Sequence, residues 1–157
     1  MALYSLDEVF QMAAQMEESG REFYEAVAKH SPNELAGTLC RHLAAEEQKH
    51  FQTFQALRKR LGSAKAPRVS MEQVGTTEAA VRDKVVPLLE EARSLGSGGC
   101  LADVLKAAAK LETDAVTFYT RIREAMDEAD RPAIDAIIAE ETRHEKELRQ
   151  ACKELKA

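Results

Sequence analysis

Cysteine is scarce and scattered in this chain. The three present, Cys40, Cys100 and Cys152, are odd in number, far apart and form no C-x-x-C pair, which excludes a zinc ribbon, a four-cysteine iron site and a thioredoxin motif. A disulfide scaffold is also unnecessary, because a compact chain of 157 residues buries about 70% of the surface its unfolded form exposes. No apolar run approaches the ~20 residues that span a bilayer. The opening MALYSLDEVFQ has no basic stretch followed by an apolar block, so no secretory signal is expected. Positive charge is in deficit: 22 Lys+Arg against 27 Asp+Glu give −5, the wrong sign for a partner of nucleic acid. Glycine (7) and proline (4) are sparse, and no stretch alternates apolar and polar residues as a half-buried strand would. These absences leave a reduced, cytoplasmic, all-α protein with residues 1–157 in a single domain.

Long helices fill the gaps between the few breakers. The first opens at Ser5, with Glu8 three residues on as a capping box. Its apolar stripe runs through Phe10, Ala13, Gly20, Tyr24, Val27 and Ala28, and it stops before Ser31-Pro32-Asn33, since a residue preceding proline is pushed out of the helical region. The second runs from near Asn33 through Leu35, Leu39, Leu43, Phe51, Phe54 and Leu57 to a C-cap at Gly62. Residues 62–99 differ: GSAKAPRVSMEQVG reads as loop, Thr76 to Leu95 as a short helix carrying Pro87, and Gly96-Ser97-Gly98-Gly99 as a stop. A third long helix follows from near Cys100 to Asp127. The fourth has Asp130 as N-cap and Pro132 in its first turn. Two helix pairs, 5–61 and 100–156, joined by a crossover at 62–99, make a four-helix bundle in which the second and third long helices run parallel.

The two pairs are copies of one pattern. QMEESGREFYEAVA in the first helix matches KLETDAVTFYTRIR in the third, and LAAEEQKHF in the second matches IIAEETRHE in the fourth. Each copy carries Glu-x-x-His, as Glu47/His50 and Glu141/His144, and residues three apart share a helix face. Leu43, Phe54 and Leu57 flank the first pair, and Ile134, Ile137, Ile138 and Leu148 the second, so both face the interior. Glu17 lies on the stripe with Ala13 and Tyr24, and Glu112 on that of Val104, Leu105, Ala108 and Tyr119, so these also point inward. All four glutamates sit mid-helix, where antiparallel helices meet at one level. Four buried carboxylates would repel one another and lose their hydration, and two divalent cations resolve the conflict. One Glu-x-x-His is common on an exposed helix; two on apolar stripes, each paired with an inward glutamate helix, specify a dinuclear metal centre. His30, at a helix end, and His42, without a glutamate three residues before it, read as structural or solvated. Glu46 and Glu140, turned about 100° from their neighbours, are expected to make contacts between helices.

The set Glu17, Glu47-x-x-His50, Glu112 and Glu141-x-x-His144, with Tyr24 and Tyr119, resembles the ferritin-like di-iron carboxylate proteins. The likeness is greatest to the rubrerythrin-like branch, whose first helix reads like MEESGREFYE here. The resemblance implies that Glu47 and Glu141 bridge two iron ions, that Glu17 and His50 complete one ion's protein ligands, and that Glu112 and His144 complete the other's. Tyr24 and Tyr119, two turns from the lone glutamates of their own helices, would donate hydrogen bonds to carboxylates on facing helices. It also implies a homodimer, and an oxidoreductase acting on O2 or hydrogen peroxide.

Departures from that pattern carry expectations of their own. Rubrerythrins proper place a further glutamate three residues after the lone Glu of the third helix, where this chain has Ala115. They also append a Cys-rich rubredoxin domain, absent here, so electrons would come from an external donor such as a rubredoxin-like protein. The ligand count also resembles bacterioferritin, but 13 residues after His144 leave no room for the extra helix of ferritin cages. Gln48 occupies the place of the haem-binding methionine, so haem is not supported. With Ala115 offering no ligand atom and two matching repeats, a symmetric site is expected in which both ions keep their histidines. Iron storage without turnover, or a structural bundle holding manganese or zinc, are the alternatives, because such donor sets choose weakly among first-row metals.

Overall fold

The computed structural model describes residues 3–61, 69–70 and 78–156. Its helices are α1 (Leu6–His30), α2 (Glu34–Leu61), α3 (Glu78–Arg93), α4 (Leu101–Glu124) and α5 (Arg131–Lys156). The chain folds as an all-α, ferritin-like bundle of α1, α2, α4 and α5, with α3 in the crossover.

The caps explain where the first pair turns. Ser5 accepts the Glu8 N–H at 3.2 Å while the Glu8 carboxylate accepts the Ser5 N–H at 2.7 Å, so the box forms in full. At the far end Ser31 leaves the helical region (φ −65°, ψ 130°) and its N–H donates to Val27 at 2.8 Å. Asn33 then restarts the chain, its side chain accepting the Ala36 N–H at 2.9 Å. In the second pair α4 ends at Glu124, short of Asp127, and a 3-10 turn (Glu128–Asp130) leads directly into α5. Asp130, expected as the N-cap of that helix, is the last residue of the 3-10 turn, and its carboxylate lies 3.6 Å from Arg60 of α2.

Contacts between helices give their directions. Asp7 near the start of α1 meets Arg58 near the end of α2 at 2.9 Å. Arg123 at the end of α4 pairs with Asp135 at the start of α5. Tyr24 reaches Glu112, and Glu17 receives Tyr119, so α4 runs antiparallel to α1. Both α2 and α4 oppose α1, hence they run parallel to one another.

Within the crossover, α3 carries Pro87 and packs along α1 and against α4. It is described over Glu78–Arg93 and ends short of the expected Leu95; the expected start at Thr76 and the expected cap at Gly62 lie outside the described residues. Leu95–Ser97 forms a 3-10 turn closed by Gly98, whose φ of 106° is a conformation that glycine alone adopts freely. One stretch read as loop is otherwise: Val69–Ser70 pairs antiparallel with Leu3–Tyr4 in a two-residue ribbon. Such a ribbon is too short to show alternation, and its partner is remote in the chain. Burial of Val69 against the start of α1 anchors it.

The core is split in two. One apolar cluster holds Phe10, Phe54, Phe118, Ile122 and Ile134, and another holds Phe23, Leu43, Leu105 and Leu148. Truncating a fully buried phenylalanine such as Phe10 to alanine costs about 3–5 kcal/mol. Along every long helix the polar residues of the repeat fall between the two clusters, forming one buried polar layer. No helix among the described residues is long and apolar enough to cross a membrane.

Cys40 belongs to the second cluster, where burial pushes its thiol up to about 12, while Cys100 is exposed. At pH 8 only about one Cys40 in ten thousand would be thiolate. A thiol reagent at that pH should therefore label Cys100 readily and Cys40 only after unfolding, as peptide mapping would show.

Candidate metal centre

The polar layer brings together all six residues singled out as ligands. Glu17 comes from α1, Glu47 and His50 from α2, Glu112 from α4, and Glu141 and His144 from α5, and none is more than 5% exposed. They form two overlapping groups. Ligand atoms of Glu17, Glu47, His50 and Glu141 lie within 4.8 Å of one another, as do those of Glu47, Glu112, Glu141 and His144. Glu47 and Glu141 belong to both.

Both imidazoles present the same nitrogen to the centre. Nδ1 of His50 lies 3.2 Å from Glu141 and 3.5 Å from Glu17; Nδ1 of His144 lies 2.8 Å from Glu141 and 3.4 Å from Glu47. The outward Nε2 atoms meet carboxylates from the opposite repeat: Nε2 of His50 is 2.5 Å from Glu140, and that of His144 meets Glu46. Glu46 and Glu140 thus make the contacts between helices that their phase suggested. The tyrosines are exchanged in the same way, Tyr24 donating to Glu112 and Tyr119 to Glu17.

The reciprocity stops outside this layer. Glu46 accepts two hydrogen bonds from Arg143, at 2.9 and 3.0 Å, and lies 3.4 Å from His42; its side chain is 13% exposed, against 39% for Glu140. His144 is therefore backed by a more firmly held carboxylate than His50, a difference that the matching repeats did not foretell. Arg143 escaped the sequence reading because its partner is on another helix. His42, expected to be structural or solvated, is exposed and reaches Glu46.

Electrostatics show what the centre lacks. Burial, together with the charge of Glu141 and the other carboxylates, pushes Glu47 and Glu112 well above the usual carboxylate range, and Glu17 is raised in the same way. Glu141 is buried too, but its hydrogen bonds and charge pairing with His144 and His50 outweigh burial and hold it below that range. Burial opposes charge on His50, yet hydrogen bonds to Glu141 and Glu17 prevail and raise the imidazole to about 11. His144 is raised through Glu141 and Glu46 against its burial. Even so, Glu17 Oε2, Glu47 Oε1, Glu141 Oε2 and His144 Nδ1 are deeply buried and face only their neighbours in the layer, His144 Nδ1 lying 2.8 Å from Glu141 Oε2. Buried carboxylate oxygens and imidazole nitrogens that converge on one another suit metal cations, whose positive charge removes the repulsion. By their donors these residues could hold metal ions.

Residues 8–96 match the family model described as Rubrerythrin. A solved structure from Thermotoga maritima, described as that of a ferritin-like diiron-carboxylate protein, superposes with a TM-score of 0.73 over 98% of each chain at 18% identity. At that identity the likeness is one of fold. None of the curated proteins compared matches the chain. The matched segment takes in Glu17, Glu47 and His50 and covers more than half of the chain, and α4 and α5 repeat its pattern; the chain belongs to the rubrerythrin family.

Proposed function

We propose that this protein is a di-iron carboxylate oxidoreductase that reduces O2 or hydrogen peroxide with electrons from an external donor, such as a rubredoxin-like protein. The observation that carries the reading is the pair of overlapping carboxylate–imidazole groups sharing Glu47 and Glu141. On this reading Glu47 and Glu141, which belong to both groups, would hold both ions, Glu17 and His50 would complete one ion's protein ligands, and Glu112 and His144 would complete the other's. Held there, two ferrous ions would supply the two electrons that, with two protons, convert one peroxide to two waters.

The chain's own residues prepare the site for that chemistry. Glu46 and Glu140 bind the outward Nε2 atoms and so keep Nδ1 of His144 and His50 turned inward. Tyr24 and Tyr119 orient Glu112 and Glu17, and burial beside these carboxylates raises both phenols well above their ordinary value, so they stay protonated as donors. The apolar clusters pack against the layer from either end of the bundle.

Ferrous titration under argon followed by exposure to each oxidant tests the reading. Two iron ions per chain should bind and oxidise, and turnover should continue when a reduced rubredoxin is supplied. Iron uptake that continues far beyond two per chain, without turnover by a reductant, would favour storage and overturn it. Light scattering at twice the chain mass checks the homodimer that accompanies this proposal.

The unequal backing of the histidines yields a further expectation. Loss of a carboxylate behind a metal-bound histidine typically costs 10–100-fold in metal affinity. Glu46→Ala should weaken iron binding by roughly that factor, and Glu140→Ala by less, because Glu140 is half exposed and water can replace it. Competition with a chelator would measure both.

A further inference from the structure

Between α1 and α4, with α3 as its outer wall, a cavity of about 180 Å³ leads from the surface at Lys84 and Thr117 to Glu47 and Glu112. Two small residues open it. Gly20 stands three residues after Glu17 and Ala115 three after Glu112, so the repeat leaves the same place vacant on both helices. A Cβ at Gly20 would come 3.4 Å from Glu47 Oε2, so glycine leaves that carboxylate uncovered on the cavity side.

The space is larger than an oxidant needs. At about 30 Å³ per water it holds roughly six, and an apolar cavity of about 150 Å³ takes up benzene. Phe23, Phe118 and Met16 contribute to its walls, surfaces that favour an aromatic ring through edge, face and sulfur contacts. At its inner end are carboxylates, which repel an anion and accept from a hydroxyl. We propose that this cavity binds a neutral, single-ring phenol, its ring between the aromatic side chains and its hydroxyl toward Glu47 and Glu112. That the hydroxyl lies beside a redox centre rests on the di-iron reading; binding of the ring rests on the cavity alone.

The test measures phenol binding by saturation-transfer NMR and calorimetry, on the protein as purified and after iron loading. Toluene and cyclohexanol, matched in size, serve as comparison probes. Phenol should bind, with each comparison probe at least tenfold weaker, and Ala115→Leu should weaken phenol at least tenfold while iron content and melting temperature stay unchanged. Val85→Phe fills the cavity from α3 instead and should do the same, which covers the case in which Ala115→Leu disturbs the fold. Absence of phenol binding, binding unchanged in both filled variants, or toluene binding as tightly as phenol would overturn the proposal. Failure of the di-iron reading would appear separately, as absent iron uptake with phenol binding intact.

Discussion

Glu47→Ala and Glu141→Ala proteins are expected to retain no more than one iron per chain where the unaltered protein should take up two. Each of these carboxylates belongs to both ligand groups, so its removal strips a ligand from both ions at once. It also leaves the remaining charges unbalanced in a layer where every member is at most 5% exposed. Glu17→Ala or Glu112→Ala takes a ligand from one group only and should spare the other ion. Elemental analysis after dialysis against a weak chelator gives the stoichiometry. Unchanged iron content in both bridging variants would remove the assignment.

Stripped of metal, the protein should lose stability steadily as pH rises from 6 to 9, the reverse of ordinary acid denaturation. His50 titrates near 6.5 when unfolded and at about 11 when folded, so its contribution is complete below 6.5 and drains away as pH climbs toward 11. Glu47 and Glu112 act in the same direction, because the folded chain keeps protons that an unfolded carboxyl releases above 4.5. Glu141 opposes them only in acid: held below its ordinary value, its contribution is present above 4.5 and lost as pH falls. Each proton that the folded state holds in excess lowers the folding constant by about tenfold per pH unit. Bound cations take the place of those protons, so loading should release protons and bind more tightly at higher pH. Thermal unfolding of metal-free and iron-loaded protein across this range should show a gap that widens with pH. A metal-free melting temperature that rises from pH 6 to 9 would contradict the assignment of buried, proton-holding carboxylates.

Much of the architecture was legible because it is local. Ser5 and Glu8 form their box within one turn, Pro32 interrupts the helix at a set place, and a glutamate and a histidine three residues apart share a face wherever the helix lies. The doubling of the helix pair carries further still. Mid-helix residues of antiparallel partners share a level, so Glu17, Glu47, Glu112 and Glu141 could be placed in one layer with their histidines before any coordinates.

Other features depend on how the helices are phased and seated against one another, and the linear pattern does not contain this. Arg143 finds Glu46 across α2 and α5, Val69 pairs with Tyr4 although the two are remote in the chain, and α3 settles along α1 so that Val85 walls a cavity opened by Gly20 and Ala115. By itself the sequence determined the helices, their pairing and the six side chains directed inward, because 3.6-residue periodicity and capping act within a few residues. Only the tertiary structure decided which carboxylate backs which histidine, the inequality of Glu46 and Glu140, and the cavity, because these follow from side-chain packing between helices remote in the chain.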